Sequence, residues 1–173
     1  MIAPIKTKDL VLPSVDIWFK RWFVLTAGRM EKFNSMTVAW GSIGGMWEMP
    51  FVQVVVRPTR HTFGFMNDSA TFTLCSFPAT YRKDLAIIGS KSGRDCDKIA
   101  LTHLTPVKSA VVAAPCFKEA DLVIECRKIY WQDLDDRNFL SDKIAVQYPQ
   151  MDYHRVFFGE ILRIRGSREF RKK

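Results

Sequence analysis

The stretch 34-NSMTVAWGSIGGMWEMP-50 decides how the rest of this chain is read. It packs one amide, three hydroxyls, three glycines and two tryptophans into one short span, with Gly28 just upstream. Ordinary core strands are not composed this way. Hydroxyls and small residues in a row let backbone N–H groups approach a polar ligand closely. The tryptophans beside them offer flat apolar faces. The stretch predicts a grip on a phosphate-bearing aromatic molecule.

Working outward, Trp22–Thr26 reads as the first firm strand, Ala27–Lys32 as a turn at Gly28, and Met36–Ser42 as a second strand broken by Gly44-Gly45. Phe51–Val56 (FVQVVV) is a β-branched, buried strand stopped by Arg57-Pro58. Thr59–Asn67 reads as a helix capped by Thr59. Ala70–Phe77 reads as a strand with Phe72 and Leu74 inward and its threonines outward. Pro78–Gly89 and Asp95–Leu101 read as helices, and Pro106–Val112 and Cys116–Tyr130 as strands. Asp136–Tyr148 reads as a further helix and His154–Ile164 as the last strand, where Gly159 marks a bulge or a close approach. Short-spaced strands without regular βαβ alternation predict a mainly β fold, an antiparallel barrel with a few inserted helices.

The 173 residues predict one domain over 1–173, with an entry arm at 1–15 and a basic, solvated tail at 166–173. The net charge of +8 invites a nucleic-acid reading, but residues 163–173 hold six Lys/Arg against one Glu. The body is nearer neutral, so a basic nucleic-acid-binding barrel ranks last. No apolar run reaches membrane-span length, and Cys75, Cys96, Cys116 and Cys126 form no C-x-x-C pair. A reduced, cytoplasmic protein with separate thiols, no metal and no membrane is expected.

Four groups could carry chemistry. Asn34, Ser35, Met36 and Thr37 supply donors beside a turn, or are simply a polar turn opening a strand. In Ser92-Gly93-Arg94-Asp95-Cys96-Asp97-Lys98, Gly93 allows a tight entry into a helix that sets Arg94 and Lys98 four residues apart toward one anion. The alternative is a capped surface helix whose aspartates neutralise those cations. Arg57 and Arg60 follow a buried strand at a barrel rim, where either could meet a carbonyl or phosphate oxygen, or be solvated at a helix start. His154 is a structural histidine or a ligand contact. The motifs G-x-S-x-G, H-E-x-x-H, G-x-G-x-x-G and the P-loop are absent.

Taken together, N-x-M-T-x-x-W from Asn34 to Trp40, R-P-x-R-x-T from Arg57 to Thr62, Phe72-Thr73-Leu74, S-G-R-D-x-D-K from Ser92 to Lys98, and H-x-V-F-F-G-E-I from His154 to Ile161 resemble the flavin reductase-like family, closest to its flavoredoxin branch. The resemblance covers about 20–102 and 152–162. It implies an FMN-binding split β-barrel of antiparallel, Greek-key-like form, usually a homodimer with the flavin near the subunit interface. It implies FMN held by the loop Asn34, Ser35, Met36 and Thr37, by main chain around Cys75, Ser76 and Phe77, and by Ser92, Gly93, Arg94 and Lys98 near the phosphate. Trp40 lies beside the ring in this reading, Arg57 and Thr62 join the contacts, and His154 faces the substrate. Many relatives have Asn where this chain has Cys75. The implied activity is hydride transfer from NADH or NADPH to flavin, with the alternative of a non-enzymatic FMN electron carrier. Flavin carries such chemistry itself, so the missing catalytic triad is expected.

Overall fold

The computed structural model describes residues 2–172; Met1 and Lys173, the outermost positions of the expected arm and tail, lie outside the described residues. Strand β1 (Ala3–Ile5) leads through a π-helical turn at Ile17–Arg21 to β2 (Phe23–Arg29), β3 (Lys32–Val38), β4 (Gly41–Met46) and β5 (Met49–Val56). Helix α1 (His61–Asp68), β6 (Thr71–Ser76) and helix α2 (Arg82–Ser90) follow. The chain ends with β7 (Pro106–Val107), β8 (Cys116–Phe117), β9 (Leu122–Asp133), the short helix α3 (Asp142–Ala145) and β10 (Arg155–Gly166).

Every ladder is antiparallel. The main sheet runs β3-β2-β6-β9-β10-β5-β4, and β1 adds to β10. Inward residues from both halves of that order, including Phe23, Val38, Val54, Phe72, Ile124 and Phe157, share one buried cluster. Such sharing requires the sheet to curl round the cluster into a barrel. The order ends at β3 and β4. Ala39 and Trp40 join these two strands directly, yet no ladder links them, so the barrel stays open along a seam.

Strand β10 keeps its core face by slipping register between Phe158 and Gly159 and between Ile161 and Arg163. The second slip lets Ile161 and Ile164, three apart, both face inward. Gly159 is required there: a Cβ would sit 2.4 Å from Phe72 Cζ. The expected bulge and the expected close approach are both present.

A second cluster covers the outer face of β2, β6 and β9, where Val24, Cys75 and Val123 pack against Leu85 and Ile88 of α2 and against Phe117. The middle of the sheet is thus buried on both faces. Ser35, Thr26, Thr73 and Glu125 pair in turn across β3, β2, β6 and β9. The two hydroxyls of Thr26 and Ser35 bond at 2.8 Å, and Thr73 donates to Pro115 O at 2.7 Å. The buried Glu125 carboxylate accepts from Ala110 N and Val111 N and lies 3.6 Å from Arg165. A buried carboxylate persists only with such partners.

Several expectations are corrected. Thr73 lies on the outer face as expected, with Phe72 and Leu74 inward, but it is buried rather than solvated, because the segment at Pro115 covers it. Strand β2 runs on to Arg29, past the expected turn start. Asn34–Thr37 is the middle of β3, not a loop, held by its ladder to β2. Gly44 and Gly45 do not break a strand; they pair with Phe51 and Pro50 in the β4–β5 hairpin. Helix α1 starts after Arg60, and no side chain caps it. Asp95–Leu101 is a run of turns, because Asp97 Oδ1 takes the N–H groups of Ile99 and Ala100. Asp136–Tyr148 holds only a 3₁₀ turn and α3. The expected strand at 106–112 is two residues long, and 116–130 divides into β8 and β9. The tail is tied down: Phe170 is buried, and its carbonyl accepts from Val11 N.

Candidate functional site

Helices α1 and α2 flank β3, one of the two strands at which the main sheet order ends. Asn34 Nδ2 donates to Thr62 Oγ1 of α1 at 2.7 Å, and Thr37 Oγ1 donates to Leu85 O of α2 at 2.6 Å. Between them lies a cleft of about 260 Å³ lined by Asn34, Thr62, Ser92, Gly93, Arg94 and Lys98 with their neighbours. Alternate N–H and C=O groups of β3 face this side, since only the other side meets β2. Gly93 lies against Asn34: a Cβ there would be 2.1 Å from Asn34 Oδ1.

The cleft is electropositive. Lys98 is buried and donates to Ile88 O at 3.0 Å and Lys91 O at 3.1 Å, the free carbonyls at the end of α2. Arg94 donates to Thr59 O at 3.3 Å. Among the described residues no carboxylate lies within ion-pair distance of Arg60, Arg94 or Lys98. Burial brings the Lys98 pKa down to about 8, against an upward pull from Cys96 and with a lesser downward push from the nearby Arg60 guanidinium. Burial also lowers the pKa of His61, assisted by the charges of Arg94 and Lys98. Among the described residues Asp95 is the one carboxylate lining the cleft. Cations with no ion-pair partner, beside free strand-edge amides, can receive an anion.

A second cleft, about 190 Å³, continues from the first and shares Met36, Thr37 and Arg60 with it. Its walls include Trp40, Arg57 and His154. The Trp40 and His154 rings lie 5.2 Å apart. Burial first, then Arg57, lowers the His154 pKa to about 4, so the imidazole is neutral at pH 7. Arg57 is committed elsewhere: Nη1 donates to Asp152 at 2.5 Å and Nη2 to Gln147 O at 2.7 Å. It ties residues 147–152 to the end of β5.

The structure thus brings Asn34, Met36, Thr37, Trp40, Arg57, Thr62, Ser92, Gly93, Arg94, Lys98 and His154 to one continuous cleft. Ser35 shares the strand, but its hydroxyl turns to Thr26. Cys75, Ser76 and Phe77 line neither part. Cys75 is fully buried in the second cluster, where burial pushes its thiol pKa well up. Phe77 borders a separate cavity of about 890 Å³ whose Arg21 is already paired with Asp121 and Glu169. Tyr148 and Asp152, which hold His154 and Arg57, are not legible in the sequence, because residues 134–153 carry no motif. Among the described residues, no group of side chains could hold a metal, and no helix is long and apolar enough to cross a membrane.

A family model described as a flavin reductase like domain matches residues 20–172. The chain belongs to the flavin reductase-like family. No curated protein matches it by sequence. Among solved structures, this flavin reductase-like chain is similar to an FMN-binding domain of a flavin reductases-like enzyme from Shewanella baltica OS155. That match has 16% identity, 96% of this chain, 77% of the other and a TM-score of 0.68. It is also similar to flavoredoxin of Desulfovibrio vulgaris (Miyazaki F), at 22% identity over 95% and 74% of the two chains, TM-score 0.67. An NADH:FAD oxidoreductase from Streptomyces globisporus C-1027 matches at 17% identity over 83% and 74%, TM-score 0.64. The antiparallel open barrel described above is the fold of these split-barrel proteins.

Proposed function

We propose that this chain binds FMN in the continuous cleft and serves as an oxidoreductase that passes hydride from NADH or NADPH to it. The observation that carries the reading is the junction of the two clefts: cations held in no ion pair at one end and the Trp40–His154 pair at the other. The donor set fits the cofactor. Arg60, Arg94, Lys98 and Ser92 would hold the phosphate. Asn34 and the open edge of β3 would orient the polar edge of the ring system, and Trp40 would give it an apolar wall. FMN, when bound, supplies a ring that accepts hydride and holds the two electrons. The relatives' descriptions as an FMN-binding domain and an NADH:FAD oxidoreductase support the same reading.

The reading includes a homodimer. Trp47, Tyr130 and Trp131 are about half exposed, and Trp47 and Tyr130 cluster with Phe158, which leaves an aromatic outer face near the β4–β5 hairpin. Light scattering on purified protein tests it.

Titration with FMN and with riboflavin, which lacks the phosphate, tests the site. FMN is expected to bind more than tenfold tighter, and equal affinity would remove the phosphate role of the cations. Anaerobic mixing with NADH or NADPH tests the activity. Rapid bleaching of the flavin band is expected; failure with both donors would leave a carrier rather than a nicotinamide-dependent enzyme.

A further inference from the structure

Resting on the flavin reading above, we propose that Tyr148 is a positioning residue: it fixes His154 as one neutral tautomer whose Nε2–H donates into the aromatic end of the cleft, toward a carbonyl-type acceptor. Tyr148 Oη lies 2.8 Å from His154 Nδ1. Either atom could donate, and the surroundings decide which. Among the described residues Tyr148 Oη has no other hydrogen-bond partner. If Nδ1–H were the donor, the phenol proton of a residue only 6% exposed would have no acceptor. Buried donors left unmet are strongly disfavoured. With the phenol donating, both groups are satisfied, and the ring proton must sit on Nε2.

The phenol is held firmly. Its ring stacks on Phe139 at 5.9 Å, meets Tyr153 edge-on at 5.2 Å, and lies under the Arg57 guanidinium at 4.8 Å. Arg57 is in turn locked to Asp152 and Gln147 O. His154 Nε2 has no protein partner and is not sealed from solvent, while its residue lines the cleft with Trp40 and Arg60. Burial of Tyr148 raises its pKa, so the phenol keeps its proton at neutral pH. The groups facing the imidazole are Tyr148, Arg57, Asp152, Arg60 and Trp40. None of them offers Nδ1 a better donor than the phenol. The site is therefore biased toward ligands that present a hydrogen-bond acceptor at this point.

Long-range 1H–15N NMR of histidine-labelled protein without added flavin reads the tautomer directly. The chain has three histidines, and loss of signals in His154→Gln assigns the relevant one. At pH 7 the wild type is expected to show a protonated Nε2 and a bare Nδ1, and Tyr148→Phe is expected to give mixed tautomers. A protonated Nδ1 in the wild type, or an unchanged tautomer in Tyr148→Phe, overturns the proposal. Should Tyr148→Phe fail to fold, the wild-type spectrum still decides. With FMN added, the variant is expected to bind it stoichiometrically but with a shifted midpoint potential and visible maximum. Unchanged values overturn donation into the cleft. Failure of the wild type to bind FMN removes the flavin reading, while the tautomer result stands by itself.

Discussion

Replacing Lys98 by Met separates what this lysine costs the fold from what it gives the ligand. The side chain is buried, and its pKa falls from 10.5 to about 8, chiefly through burial. Between these values the unfolded chain keeps a proton that the folded chain has released, so stability rises with pH through the window. Below pH 8 both states are protonated and the penalty is at full size, roughly 3 kcal/mol at about 1.4 kcal/mol per pH unit. Methionine keeps the apolar stem and removes the charge, but it strips Ile88 O and Lys91 O of a donor, at about 1 kcal/mol each. At pH 7 the ligand-free variant is therefore expected to match or exceed the wild type by about 1 kcal/mol. Above pH 10.5, where the wild-type amine is neutral and still donates, the variant is expected to be the weaker by about 2 kcal/mol. FMN affinity at pH 7 moves the opposite way, with a loss of roughly 10- to 100-fold for one charged hydrogen bond. Urea denaturation of ligand-free protein at both pH values and fluorescence titration with FMN measure all three quantities. A variant destabilised equally at both pH values, or one that keeps its FMN affinity, refutes the reasoning.

Gly93→Ala is expected to push Asn34 from its bond to Thr62, since the added methyl would sit 2.1 Å from Asn34 Oδ1; the cost is about 1–3 kcal/mol, and FMN titration with an unchanged dissociation constant would contradict it. His154 binds its proton at about pH 4 when folded, against an unfolded value near 6.5. Stability is therefore present above pH 6.5 and falls by up to about 3 kcal/mol as the pH drops to 4. His154→Gln is expected to lack that slope in denaturation curves, and a variant with the wild-type slope would clear His154 of the effect. Gly159→Ala forces a methyl to within 2.4 Å of Phe72 and 2.9 Å of Cys126; a loss of about 1–3 kcal/mol is expected, seen calorimetrically as a Tm lower by roughly 2–4 °C per kcal/mol, and an unchanged Tm would show that β10 can shift to make room.

Where a local signal is strong, the sequence and the fold agree. Phe51–Val56 is β-branched enough to name its own strand, and Arg57-Pro58 does end it. Gly159 announces a bulge because no other residue fits beside Phe72. The failures share one cause, which is that distant partners outvote local composition. Asn34–Thr37 looks like a polar turn until Thr26 supplies a hydroxyl for Ser35 and two helices take up Asn34 and Thr37. Gly44 and Gly45 look like a break until Phe51 and Pro50 are seen to pair with them in the β4–β5 hairpin. Arg94 and Lys98 do converge, but through a run of turns rather than along a helix, because Asp97 captures the amides a helix would use. The partners of His154 and Arg57 lie in residues 147–152, whose composition says nothing about what they hold.

The open seam also sets a rhythm for the molecule. Lys32–Val38 has a strand on one flank only, so every second amide there lacks a ladder acceptor and trades its proton with water early. A guest lodged along that flank becomes the absent neighbour, bracing α1, α2 and the bare strand at once. Deuterium uptake at these few amides is thus a clock for occupancy, slowing when the seam is filled and quickening when it empties.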